Sequence, residues 1–287
     1  MDVDPQIAIC ILNGYPRASR ENFDLSGVGH PHDLFKGFLR RYLPAAAVDV
    51  CFVADPDQAL PSGAGLDAYS GYIWTGSDLT IYESGDSRVT RQIALAQAIF
   101  AAGVPMFGSC WGVQMAAVAA GGAVAKNPKG REWGIARDIT LTAEGRQNPL
   151  MAGKPERFDG FIMHLDEVTR LPPGATLLAV NDHTHVQALE VRQGDGVFWA
   201  TQYHPEFNFQ EMGRLIAARA QPLVAEGFFD KETEVQDHAA NMVALHRDPR
   251  SAQLRAALAV GDDILDPTIR EQELRNWVDH LVLPNID

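Results

Sequence analysis

Cysteine is scarce in this chain: Cys10, Cys51 and Cys110 are the three among 287 residues. An odd and sparse set cannot staple a small secreted fold, and it suits a reducing cytoplasm. Basic residues are also in short supply, with 24 Lys and Arg against 37 Asp and Glu and a net charge of −13. No Lys/Arg cluster opposes that field, so nucleic acid and anionic membrane surfaces are poor partners. No apolar run reaches the roughly 20 residues that span a bilayer. The first residues, Met1-Asp2-Val3-Asp4-Pro5, are acidic where a signal peptide is basic. Internal repeats, low-complexity linkers and a Gly-x-x-x-x-Gly-Lys phosphate loop are all missing. What is present is ordinary for a globular protein, 46% hydrophobic and 21% charged. The expectation is a cytoplasmic protein large enough to bury a full core without metals or disulfides.

The first half alternates apolar runs with helical periodicity. Ile7–Leu12, Val48–Val53, Tyr72–Trp74 and Val104–Phe107 read as buried strands. Between them, Phe35, Phe38, Leu39 and Tyr42 fall on one helix face, and Val89, Ile93, Ala96 and Phe100 mark a helix over Ser87–Ala102. Such alternation predicts a parallel sheet covered on both faces. From Ile135 to His204 the pattern changes to strands joined by turns, which predicts an antiparallel or mixed part of the same sheet. Beyond Phe209 the chain reads as helical. Asp266-Pro267 is a helix start with Asp as N-cap, and Leu274, Trp277, Val278 and Leu281 give the following helix its apolar face. We divide the chain into a catalytic domain, residues 1–229, and a helical extension, 230–287, packed on it.

The chemistry concentrates at Gly108-Ser109-Cys110-Trp111-Gly112-Val113-Gln114, where an apolar strand runs directly into a helix. This is the cysteine counterpart of a nucleophile elbow, whose flanking glycines leave room for a very tight turn. The turn sets the sulfur at a helix N-terminus, where the dipole favours thiolate. It also aims the Trp111 amide at a developing oxyanion. A thiolate nucleophile needs an imidazole, and the imidazole needs an orienting carboxylate. His204-Pro205-Glu206, at the end of the run Val197–Tyr203, supplies both, because residues two apart in extended backbone point the same way.

Gly108-x-Cys110-x-Gly112-x-Gln114 with His204-Pro205-Glu206 resembles the class I (triad) glutamine amidotransferase family. The resemblance covers about residues 7–210. It extends to Thr75-Gly76-Ser77 after the third strand, Glu132-Trp133-Gly134-Ile135, and Met163-His164-Leu165-Asp166-Glu167-Val168 before Leu171-Pro172-Pro173-Gly174-Ala175. It implies a flavodoxin-like, three-layer α/β sandwich around a central, mostly parallel (mixed) sheet. It also implies hydrolysis of a γ-glutamyl amide through a thioester on Cys110, with His204 as base and then acid, and Glu206 orienting it. Gly76 and Trp111 would form the oxyanion hole, and Gln114, Asp166, Ser77 and His164 would hold the glutamyl group.

No cofactor is expected. His183-x-His185 and His30-x-His32 have metal-compatible spacing but lack the Cys or acidic partners of a metal site, and are read as solvated. Cys10 and Cys51 are read as small core residues. Trp74, Trp111 and Tyr82 are candidates for the cleft wall. The chain carries no synthetase-like segment, an organisation similar to the stand-alone γ-glutamyl peptidases and amide hydrolases of the family. The alternatives are a glutaminase subunit that delivers ammonia to a separate ATP-dependent synthetase, and a non-catalytic member of the fold. Homo-oligomerisation and a synthetase partner are left open.

Overall fold

A computed structural model describes residues 7–285; the acidic stretch Met1–Pro5 lies outside them. The strands are β1 (Ala8–Asn13), β2 (Ala47–Phe52), β3 (Gly71–Trp74), β4 (Met106–Ser109), β5 (Ala123–Lys126), β6 (Glu132–Leu141), β7 (Arg157–His164), β8 (Asp166–Arg170), β9 (Ala175–Val180), β10 (Ala188–Gln193) and β11 (Gly196–Thr201). The main helices are α1 (Arg17–Ser26), α2 (Pro31–Tyr42), α3 (Ser87–Ala102), α4 (Trp111–Ala119), α5 (Phe209–Ala218), α6 (Ala220–Ala225) and α7 (Glu232–Arg247).

Nine strands form one sheet in the order β2-β1-β3-β4-β11-β10-β9-β6-β7. The first five are mutually parallel, and from β11 outward each neighbour is antiparallel. The sheet is therefore mixed, and the change of direction falls at β11, the strand that leads to His204. Two strands absent from the sequence reading, β5 and β8, pair in a small second sheet.

Alternation along β1 shows how the layers form. Cys10 and Leu12 face a core shared with α3 and α4, while Ile9 and Ile11 face one shared with α2 and residues 274–282. A third cluster joins α1, α5 and α7 to Phe161, Met163 and Phe207 beside the cleft. α3 begins on the Asp86 carboxylate, which accepts from the Arg88 amide at 2.8 Å, and stops at Gly103 with φ +73°. Cys10 and Cys51 are buried, as expected of core residues. Burial pushes the Cys10 thiol well above its ordinary range and that of Cys51 up to about 11.

The C-terminal residues depart from a single amphipathic helix. Asp266 does cap its helix through the Thr268 amide, but that helix ends at Arg270. A second, Gln272–Trp277, passes into a π turn over Val278–Val282. The wider turn shifts the apolar face by one residue, so Val282 is buried and Leu281 only partly so. Trp277 lies against Gly71, where an added Cβ would come within 2.7 Å of the indole. Among the described residues no helix is long and apolar enough to cross a membrane.

Candidate active site

Four strand ends converge at one edge of the sheet. Gly14-Tyr15 follows β1, Thr75-Gly76-Ser77 follows β3, Cys110 follows β4, and His204 follows β11. The carboxyl edge of parallel strands is where open α/β sheets bind ligands, because the loops there diverge and leave a crevice. Here that crevice is a cavity of about 190 Å³.

Cys110 sits at the turn from β4 into α4 with φ +55° and ψ −96°. A non-glycine residue rarely adopts a positive φ, so surrounding structure must hold it there. Its amide donates to Thr201 O at 2.8 Å, tying the turn to the end of β11. Gly108 and Gly112 make the turn feasible: a Cβ on Gly108 would come 2.7 Å from the Gly112 Cα. Trp111 is the first residue of α4, so its amide is one of those that a helix leaves without an intrahelical acceptor.

His204 reaches the site from the β11 side. Its amide donates to Phe161 O at 2.7 Å, and Phe207 packs on its ring at 4.7 Å between centroids. Nδ1 meets Glu206 Oε1 at 2.7 Å, and the same oxygen accepts from Ser109 Oγ at 2.8 Å. Ser109, the residue before Cys110, thus fixes the carboxylate that fixes the imidazole. Burial works against a charge on His204, but Glu206 and the Cys110 sulfur more than reverse it and raise the imidazole to about 10.

Gly76 lies across from this pair. A Cβ there would stand 3.2 Å from the Tyr15 hydroxyl and 3.4 Å from His204 Cε1. Ser77 lines the cavity, but its hydroxyl donates to Gly14 O at 2.8 Å and accepts from the Leu79 amide at 3.1 Å. Gln114 donates to Asp166 O at 3.3 Å, and the Asp166 carboxylate accepts from the Tyr82 hydroxyl at 3.2 Å. His164 also borders the cavity, yet Nδ1 meets Asp166 O at 2.9 Å and Nε2 meets Glu132 Oε2 at 3.0 Å. That leaves His164 no ring nitrogen for a ligand, so its contribution to the site is to hold the Asp166 backbone.

Of the aromatic candidates, Trp74 is fully buried core and Trp111 is buried with Nε1 donating to Gln92 at 3.0 Å. Only Tyr82 is exposed, beside Asp166. Of the four histidines read as solvated only His185 is exposed: His32 is buried against Asn13, and His30 and His183 are half-buried on Asp24 and Gly130 O, because the folded loops bring them partners that the sequence does not place nearby. Sequence reading missed Tyr15, Arg131 and Arg219, which also line the cavity. Tyr15 was within reach, since it follows directly on a parallel strand. Nothing in the pattern around the two arginines marks them.

The family model for class I glutamine amidotransferases matches residues 82–220. The γ-glutamyl-L-1-hydroxyisopropylamide hydrolase of a Pseudomonas species is 36% identical, covering 97% of this chain and 94% of its own length. The GMP synthase of Leifsonia xyli is 30% identical over 75% of this chain, which spans only 42% of that longer protein. A glutamine amidotransferase from Thermotoga maritima shares the fold with a TM-score of 0.68 at 18% identity, over 96% of this chain and 98% of the other. One from Methylobacillus flagellatus does so with 0.63 at 19%, over 96% and 95%.

Proposed function

The chain belongs to the class I glutamine amidotransferase family, and we propose that it hydrolyses γ-glutamyl amides, with Cys110 as nucleophile, His204 as proton carrier and Glu206 as its orienter. The observation that carries the reading is the elbow itself: Cys110 at positive φ, hydrogen-bonded to the strand that delivers His204, at the floor of a small cavity. In the first half-reaction the sulfur attacks the γ-carbonyl carbon, and the carbonyl electron pair moves to oxygen between the Gly76 and Trp111 amides. The tetrahedral adduct collapses, the C–N bond breaks, and His204 gives its proton to the departing amine. In the second, water attacks the thioester, His204 takes its proton, and glutamate leaves as the thiolate reforms. The net reaction is amide plus water to glutamate plus amine.

Similarity to the hydroxyisopropylamide hydrolase over nearly the whole length favours a stand-alone hydrolase of small γ-glutamyl amides over an ammonia-delivering subunit. On this reading residues 230–287 are an extension of the one catalytic domain. A reducing cytoplasm is the compartment that three free thiols fit. The test is purified protein, without ATP, offered glutamine, γ-glutamyl dipeptides and γ-glutamyl-L-1-hydroxyisopropylamide, with glutamate release measured. Turnover of one or more amides is expected. Turnover that requires an added ATP-dependent synthetase would replace this reading with ammonia delivery.

A further inference from the structure

The cavity in front of Cys110 is bordered by charges of both signs, and their pairing is uneven. Asp78 and Asp166 supply carboxylates, Arg131 and Arg219 guanidinium groups. Arg131 is already spent, since Glu226 accepts from its Nε and Nη2 at 2.7 and 2.8 Å. Arg219 differs. Among the described residues no carboxylate lies within 4.0 Å of its guanidinium and no acceptor within hydrogen-bond reach. Yet it is half-buried, at the break between α5 and α6, where φ −108° and ψ 23° end the helical path. Burial and the Cys110 sulfur push the Tyr15 phenol up while Arg219 pulls it back, so the guanidinium charge is felt inside the cavity.

The Arg219 nitrogens still reach solvent, so in the free protein water answers them, and a ligand carboxylate that displaces this water would meet a cation with no competing protein acceptor. Guanidinium offers a planar fork that fits a carboxylate through two parallel hydrogen bonds, a geometry that an ammonium cannot match. A γ-glutamyl group is a zwitterion at the end remote from its scissile bond. Asp166 answers its ammonium, and its carboxylate needs a cation that no protein group has claimed.

Building on the γ-glutamyl reading, we infer that Arg219 binds the α-carboxylate of the glutamyl group and so makes the site selective for γ-glutamyl over other acyl amides. Arg219 is a specificity residue and takes no part in bond making or breaking.

The experiment compares two substrates with the same leaving amine: the γ-glutamyl amide and the 4-aminobutanoyl amide, which differs only by loss of the α-carboxylate. Wild-type enzyme should prefer the former by about 10²-fold in kcat/KM, the size expected of a charge-assisted pair. Arg219→Gln should lose about that factor on the γ-glutamyl amide, mostly through KM, and change less than about threefold on the 4-aminobutanoyl amide. Arg219→Lys, which keeps charge without the fork, should fall between them. Equal losses on both substrates, or no loss on either, would overturn the inference. If Arg219→Gln fails to fold, wild-type enzyme still decides, because equal turnover of the two amides would mean that no carboxylate subsite exists. No turnover of any γ-glutamyl amide by wild type would instead sink the reading on which the inference rests.

Discussion

Two buried histidine–glutamate pairs stand at the same cleft, and their geometry separates their roles. His204 meets Glu206 at 2.7 Å, and His164 meets Glu132 at 3.0 Å. Both rings are nearly inaccessible. The difference is at the other nitrogen. His164 spends Nδ1 on Asp166 O, and its carboxylate partner is saturated by Thr184, Gln187 and Asn181 as well. His204 uses Nδ1 for Glu206 and turns the rest of its ring toward Cys110, while Glu206 keeps Oε2 without a partner. A histidine can move protons only when one nitrogen is left over for the reaction, and a fully satisfied pair is structural.

The largest expected effect comes from breaking the His204 pair and its neighbour Cys110. Cys110→Ala and His204→Ala should each cost about 10⁴-fold or more in kcat, because members of such a unit fail together. Glu206→Gln should cost between about 10²- and 10⁴-fold, since it keeps shape but loses the charge that steadies the imidazolium. Steady-state kinetics on one γ-glutamyl amide measures all three, and a fully active Glu206→Gln enzyme would remove Glu206 from the catalytic set.

A smaller effect of a different kind is expected at the other pair. Glu132→Gln should lower stability by about 2–4 kcal/mol, because three buried donors, His164, Thr184 and Gln187, and the half-buried Asn181 converge on that carboxylate. Its kcat should change by less than about tenfold. Burial opposes the charge on Glu132, but bonds from His164 and Asn181 hold its carboxyl below the ordinary 4.5. A depressed carboxylate contributes stability above pH 4.5 that is lost as pH falls through the folded value. Wild type should therefore lose Tm in acid more steeply than Glu132→Gln. Parallel acid profiles would show that Glu132 carries no such linkage.

The smallest effect sharpens the same contrast through pH. His204 is raised from 6.5 to about 10, so its contribution to stability is complete below pH 6.5 and lost as pH rises through about 10. The Tm difference between wild type and His204→Gln should shrink across that window. A difference that grows with pH would contradict a charged His204 in the resting protein.

The elbow and His204-Pro205-Glu206 were legible because tight geometry demands particular residues at fixed spacing. The helix Ser87–Ala102 was legible because its periodicity, cap and terminal glycine agree. α1 escaped for a physical reason: only Arg20 and Phe23 of its ten residues are buried. Its inner face is held instead by Arg20, which donates to Asp55 at 2.6 Å and to Tyr15 O at 2.6 Å, contacts that leave no hydrophobic stripe. β5 and β8 are short and half polar, with Val124 and Val168 as their buried residues. The rest of the cavity lining was the least legible part. A site residue there is defined by what it is not bonded to, as Arg219 and His164 show from opposite sides, and partners are invisible along a sequence.

The packing of Trp277 against Gly71 also bears on the order in which the protein matures. Indole and glycine are far apart along the chain, as are Glu273 and the Tyr203 hydroxyl that donates to it at 2.5 Å. During synthesis β1, β3 and β4 leave the ribosome with one apolar face covered by α2 alone, and the rest of that face invites association until its distant cover arrives. Lys154 waits likewise for Glu273, its buried counter-ion at 3.0 Å. Tyr203, the residue beside His204, is thus locked by some of the last side chains to be made. A nascent chain with both Cys110 and His204 already translated still lacks the Glu273 and Trp277 contacts that hold Tyr203 and cover Gly71.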